Sequence, residues 1–204
     1  FKAKICITLK FKVIFYEYSV KIMIKKLDKL QLKVALEAAF SKTINWVNQQ
    51  PIENLNKEIT PEKWAISHHL YHLVKSTRAV NKGLKTSKLV LRTMFGKCNR
   101  PERTMEELVI KYKAALAQNG VKAPSNFSAE PNRTFERKEI LQKFKTSLEE
   151  LNSSLQKWDE QKLSEYVLPH PAIGKCTIRE MIYFTISHTL HHLEIMEKKN
   201  VTKE

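Results

Sequence analysis

Six of the seven histidines fall in two short windows, His68, His69 and His72 in one and His188, His191 and His192 in the other. Imidazole is a ligand for zinc, nickel, iron and similar borderline metals, and a polar ring whose burial costs free energy unless something pairs with it. His188 and His192 are four positions apart, which on a helix stacks both rings on one face, close enough to share an ion. Alone, such a pair is weak evidence, because it also arises by chance on helix surfaces. The neighbourhood strengthens it. Ile182, Phe184, Ile186, Leu190, Leu193 and Ile195 surround the pair, and His192 shares a face with Ile178, Met181 and Thr185. A hydrogen bond to a neighbouring helix is the plainer alternative to a metal. A third ligand must come from elsewhere, and the first window offers His68 and His72, which share a face with Trp64, while His69 lies on the next strip. Spacing does not choose between His68 and His72. Three histidines from two helices leave a coordination position open for water or substrate, as a catalytic rather than a structural centre requires.

The chain has the helices to present these rings. From Ile24 to about Asn48 the apolar residues Leu27, Leu30, Leu32, Val34, Leu36, Phe40, Ile44 and Val47 fall near helical spacing, and Pro51 follows. A second helix is expected from Thr60, a capping residue ahead of Pro61 and Glu62, to about Lys82, with Gly83 as its stop. Residues 84–133 form a long crossover: a short helix from Ser87 to Phe95 closed by Gly96, then one opened by the capping box Thr104–Glu107 and ending near Asn119 and Gly120. Residues 121–133, rich in Pro, Ser and Asn, read as loop. A third helix follows Thr134 to about Trp158, burying Phe144, Leu148, Leu151 and Leu155. A loop with Pro169, His170, Pro171 and Gly174 precedes the fourth, which starts at the capping box Thr177–Glu180 and reaches about Lys199. The expected fold is all-α, a four-helix bundle with a long helical crossover between helices two and three. Four glycines in 204 residues suit it better than a tight-turned β-sandwich.

Residues 1–22 differ from the rest. Phe1–Leu9 alternates loosely, as a strand would, and the lysines at 2, 4, 10 and 12 interrupt any signal-peptide core. Residues 1–22 are read as an extension without functional role, and residues 23–204 as the domain. The formal charge of +15 invites a nucleic-acid partner, but 29 of the 36 basic residues are lysines spread along the chain, and no basic run, helix-turn-helix or zinc-finger pattern accompanies them. Nucleic acid is therefore set aside. No apolar run approaches the roughly 20 residues of a membrane span. Three dispersed cysteines, Cys6, Cys98 and Cys176, make a poor disulfide framework, so the expected compartment is the cytoplasm.

The segments from Trp64 to Leu73 and from Gly174 to His192 resemble the helix-two and helix-four motifs of the DinB/YfiT-like superfamily of metal-dependent enzymes, a resemblance that extends over about residues 24–198. It implies an up-down-down-up bundle holding a divalent metal, zinc or nickel, with one histidine of helix two and two of helix four: His72, His188 and His192. Position 68, often acidic in that family, is His68 here. The resemblance also implies a hydrolase or a thiol S-transferase acting on a small molecule, with a low-molecular-weight thiol as cosubstrate and a homodimer as assembly. The competing reading is a stress-associated bundle that binds metal or ligand without turnover. No catalytic base stands out; His68 and His191 are the candidates, His191 the weaker because it points about 100° away from His192. Trp64, Tyr71 and Phe184 read as core or pocket wall, Glu180 as a capping residue, Cys176 as a buried thiol and Arg179 as solvated.

Overall fold

The computed structural model describes residues 26–57, 64–119, 127–128 and 133–201. The strand expected at Phe1–Leu9, and the extension of residues 1–22, lie outside the described residues, as does most of the loop at 121–133. The described chain is mostly helical, in the order α1 (Lys29–Gln49), a 3-10 turn (Ile52–Asn54), α2 (Ile66–Lys85), α3 (Lys88–Phe95), α4 (Met105–Asn119), α5 (Arg137–Gln156), α6 (Lys162–Glu165), β1 (Val167–His170), β2 (Gly174–Thr177) and α7 (Ile178–Val201). Among the described residues no helix is long and apolar enough to cross a membrane.

The long helices α1, α2, α5 and α7 bury one shared core. Both α1 and α2 pack against α5 and α7, and α4 lies on α7. On α1 the buried stripe is Leu32, Leu36, Ala39, Phe40, Thr43 and Val47, a spacing of three and four. Leu30 and Val34 fall off that stripe and are exposed. Nor does the helix run back toward Ile24. Asp28 accepts from the Gln31 amide at 2.8 Å while the Gln31 side chain accepts from the Asp28 amide at 3.0 Å, a reciprocal cap that starts the helix at Lys29. Leu27 precedes it, buried, with its amide on the Tyr183 hydroxyl at 2.9 Å. Across the core Phe40 stacks on Phe144, ring centroids 4.2 Å apart.

Three local signals act as the sequence indicates. Ser87 accepts from the Val90 amide and Gly96, at φ +78°, closes α3. Thr104 and Glu107 cap α4 reciprocally, at 2.8 and 3.2 Å. Thr177 and Glu180 do the same for α7, at 2.9 and 3.1 Å.

Three expectations are corrected. Trp64 and Ala65 are not helical, so α2 starts at Ile66 rather than Thr60; Thr60–Glu62 themselves lie outside the described residues. Gly83 does not stop α2, which runs on to Lys85. A Cβ at Gly83 would sit 2.5 Å from Leu168 Cδ1, so this position is glycine for close approach to β1. The stretch with Pro169 and His170 is not loop but an antiparallel ribbon pairing Leu168 with Cys176 and His170 with Gly174. Its turn is closed by His170, whose Nδ1 accepts from the amides of Ala172 (3.1 Å) and Ile173 (3.3 Å).

Two charged clusters bury the start of α7. Arg179 is not solvated. It is 1% exposed and held by the Glu160 carboxylate at 2.6 Å, Glu102 at 3.3 Å and the Leu27 carbonyl. Glu180 does more than cap. Its carboxylate, fully buried, accepts from Arg100 Nη1 (2.8 Å) and Nη2 (2.6 Å), and from the Arg103 amide (2.8 Å), Nε (3.0 Å) and Nη2 (2.9 Å). Burial pushes its pKa up, but these charged donors prevail and hold it down at about 2. α4 is thereby fixed to α7.

Candidate metal centre

The first two turns of α2 carry His68, His69 and His72. The Ser67 amide donates to the Leu55 carbonyl at 2.9 Å, tying the helix start to the 3-10 turn. Trp64 stays extended before it and lays its indole among the imidazoles, 5.1 Å from the His72 ring, 5.5 Å from His69 and 6.2 Å, stacked, from His192.

Three rings converge between α2 and α7. The Nε2 atom of His188 lies 3.1 Å from His72 Nε2 and 3.0 Å from His192 Nε2. A ligand atom from each of the three falls within 4.8 Å of the other two, and this histidine group could hold a metal ion. All three rings are buried, at 5–8% exposure. Two have their outer nitrogen engaged. His72 Nδ1 donates to the Phe127 carbonyl at 2.9 Å, which leaves its Nε2 lone pair facing inward, and His192 Nδ1 shares a proton with His69 Nδ1 at 2.8 Å. On the remaining side Phe184 stacks on His188 at 4.8 Å, and Tyr112 of α4 stands edge-on to both Phe184 (5.1 Å) and His188 (6.2 Å).

Burial makes this centre neutral. Loss of water lowers the pKa of His72, and of His188 and His192 well below the usual histidine value; Lys75 near His72 and the mutual proximity of the rings act in the same direction. A neutral imidazole, which gives up no more than one ring proton to offer a lone pair, is the form that ligates a metal.

The expected set His72, His188 and His192 is thus brought together. Neither candidate base belongs to that ligand group, although the His191 ring stands edge-on to His192, centroids 5.6 Å apart. His68 Nε2 donates to the Arg133 carbonyl at 2.9 Å. His191 is half-buried, beside Glu194 and Lys113. Cys176 is fully buried, and burial pushes its thiol up to about 11, as expected of an inert core thiol. Tyr71 donates no wall to the histidines; it packs on Phe135 at 5.0 Å and accepts from Arg133 at 3.0 Å.

In the sequence His69 lies on the strip beside His68 and His72 and carries no assigned role, yet its spacing of three from His72 places both on one side of the helix. The isolated seventh histidine, His170, is likewise without an assigned role, and it lies edge-on to Phe184 at 4.2 Å. The Phe127 carbonyl left no signal to find, since backbone groups carry no residue signature.

Against known proteins, the chain is 29% identical over 147 residues to the uncharacterized protein YuaE of Bacillus subtilis (strain 168), an overlap covering 72% of this chain and 83% of that protein. A family model described as the DinB superfamily matches residues 35–196, a span that contains both histidine windows and all four long helices but the first turns of α1 and the end of α7. The chain belongs to the DinB superfamily.

Proposed function

We propose that His72, His188 and His192 hold one divalent metal ion, zinc or nickel, through Nε2, and that the protein is a metal-dependent hydrolase or thiol S-transferase acting on a small molecule. One observation carries the reading: three buried, neutral imidazoles turn the same nitrogen toward one point, with no carboxylate or thiolate in that group among the described residues. The donor set fits such an ion. Tetrahedral bonds of about 2.0–2.1 Å put ligand nitrogens about 3.3–3.4 Å apart, so the pairs now at 3.0 and 3.1 Å need to open by only a few tenths of an ångström.

The chain's own groups have separable parts. The Phe127 carbonyl and His69 hold protons on the outer nitrogens of His72 and His192, so that the inner nitrogens of these two stay free. Trp64, Phe184 and Tyr112 wall the centre and keep bulk water off it, which strengthens every charge interaction within. When bound, a divalent ion on three neutral ligands keeps its full double charge for the fourth, and so favours hydroxide over water and thiolate over thiol. The S-transferase form of the proposal takes a low-molecular-weight thiol as cosubstrate, in keeping with the family resemblance.

Metal analysis of purified protein tests the reading, wild type against His72→Ala and His188→Ala, each checked for folding by circular dichroism. About one equivalent in the wild type and a large loss in both variants is the expected result. Equal metal content in all three overturns it. Stoichiometric metal with no turnover of any thiol–electrophile or ester pair would move the protein to the noncatalytic binding class.

A further inference from the structure

We propose that His69 is the positioning residue of this centre: it accepts the His192 Nδ1 proton and thereby fixes the tautomer and ring angle that aim His192 Nε2 inward. The inference rests on the metal-binding reading above for its consequence, but not for its geometry.

The contact is short and dry. The two Nδ1 atoms are 2.8 Å apart, and the residues are 4% and 8% exposed. Trp64 lies against both rings, so neither turns without displacing the indole. A nitrogen–nitrogen contact of this length holds one proton, on one ring or the other. Which ring carries it follows from counting protons through the cluster.

His72 is fixed outright, because the Phe127 carbonyl can only accept. Its Nε2 is therefore bare, and the 3.1 Å contact to His188 Nε2 needs a proton on His188. That proton also serves the 3.0 Å contact to His192 Nε2, provided His192 Nε2 is bare as well. The proton of neutral His192 then sits on Nδ1 and is donated to His69. The reverse assignment puts a proton on His192 Nε2, strips the one from His188 Nε2, and leaves the lone pairs of His72 and His188 facing each other at 3.1 Å. These four contacts are all satisfied with His69 as acceptor and not with His69 as donor.

This arrangement differs from that at His72. A carbonyl partner cannot donate, whereas an imidazole partner can, so residue 69 must present an acceptor for this tautomer of His192 to be held. Partners of this kind around metal-bound histidines typically contribute about 10- to 100-fold in metal affinity.

Two measurements on the full chain test it. In the metal-free protein, long-range nitrogen–proton correlation spectra distinguish protonated from bare ring nitrogens. A protonated Nδ1 on His192 with a bare Nδ1 on His69 is expected, and the opposite pattern overturns the proposal whatever happens to the variants. Zinc affinity by chelator competition, and the visible spectrum of cobalt-substituted protein, are then compared for wild type, His69→Asn and His69→Leu. Asn offers an acceptor oxygen where Nδ1 stood; Leu offers none. About 10- to 100-fold weaker zinc binding and a shifted cobalt band in H69L, with H69N near wild type, is the expected result. Equal affinity and spectra in all three, or equal losses in both variants, overturn it. A wild type that binds no metal overturns the proposed function instead, and the nitrogen spectra still decide the role of His69.

Discussion

Glu180→Gln removes one charge and almost no volume, and its cost can be worked from the geometry. The carboxylate is fully buried and takes five hydrogen bonds from Arg100 and Arg103, with a sixth from the Thr177 amide. A carboxyl held at about 2 rather than its ordinary 4.5 favours its charged form in the folded protein by about 3 kcal/mol, at about 1.36 kcal/mol per pH decade. Arg100 is one-third exposed, and solvent screening there brings the expected loss at pH 7 to about 2–3 kcal/mol. Gln also turns an amide NH2 toward donors that need an acceptor, so the loss does not fall below that range. For a chain of this size it lowers the melting temperature by about 5–10 °C. Because the folded pKa lies below the unfolded one, the wild-type contribution is complete above about pH 4.5 and drains away as the pH falls toward 2. Urea denaturation of both proteins at pH 7, 5 and 3 reads this directly. A midpoint gap that is large at pH 7 and narrows at pH 3 is expected. Equal midpoints at pH 7, or a gap independent of pH, refute the reasoning.

Three further outcomes are expected. Gly83→Ala gains about 1 kcal/mol of helix propensity but forces a methyl to 2.5 Å from Leu168 Cδ1, an overpacking cost of about 1–3 kcal/mol; thermal melts should show net destabilisation in the wild type and none in a Leu168→Ala background. His170, pushed down to about 4 by burial and by Arg103, should keep flat ring-proton shifts in NMR from pH 8 to pH 5.5, and a midpoint above 6 would contradict its buried placement. With its thiol pushed up to about 11 by burial, Cys176 should resist iodoacetamide at pH 7.5 more than the partly buried Cys98 does; peptide mapping that finds equal labelling would count against the burial.

What the sequence disclosed follows the range of each interaction. The boxes at Thr104–Glu107 and Thr177–Glu180 were legible because both partners lie within one turn of chain. The i,i+4 pair His188–His192 was legible for the same reason. Elements set by distant partners were misread. Leu30 and Val34 satisfied a loose apolar count, yet only the stripe through Leu32, Leu36 and Phe40 meets α5 and α7. Thr60–Pro61–Glu62 offered a stronger helix start than Ala65, but Trp64 is needed extended, against the imidazoles. Gly83 has the composition of a stop signal and the function of a contact surface. A ribbon of two four-residue strands, one containing Pro169, gives too short an alternation to detect. Spacing left His68 and His72 equivalent, and it was the family resemblance that separated them, in agreement with the convergence at His72.

The meeting of the three rings is a consequence of register set elsewhere. His69 meets His192 and His72 meets His188, so three steps forward on α2 answer four steps back on α7, and the two helices run antiparallel. At the other end of α2 Gly83 admits Leu168 of β1, and β1 pairs Leu168 with Cys176 just before α7 begins. From Gly83 α2 runs back eleven residues to His72, and from Ile178 α7 runs forward ten to His188. At about 1.5 Å per residue these spans are about 16 and 15 Å long. A slip by one residue would rotate a ring by about 100° and part the nitrogens. The imidazoles therefore meet because α2 and α7 pack on each other, and α2 on α5 as well, so the register of whole helices rather than any contact of the rings places them.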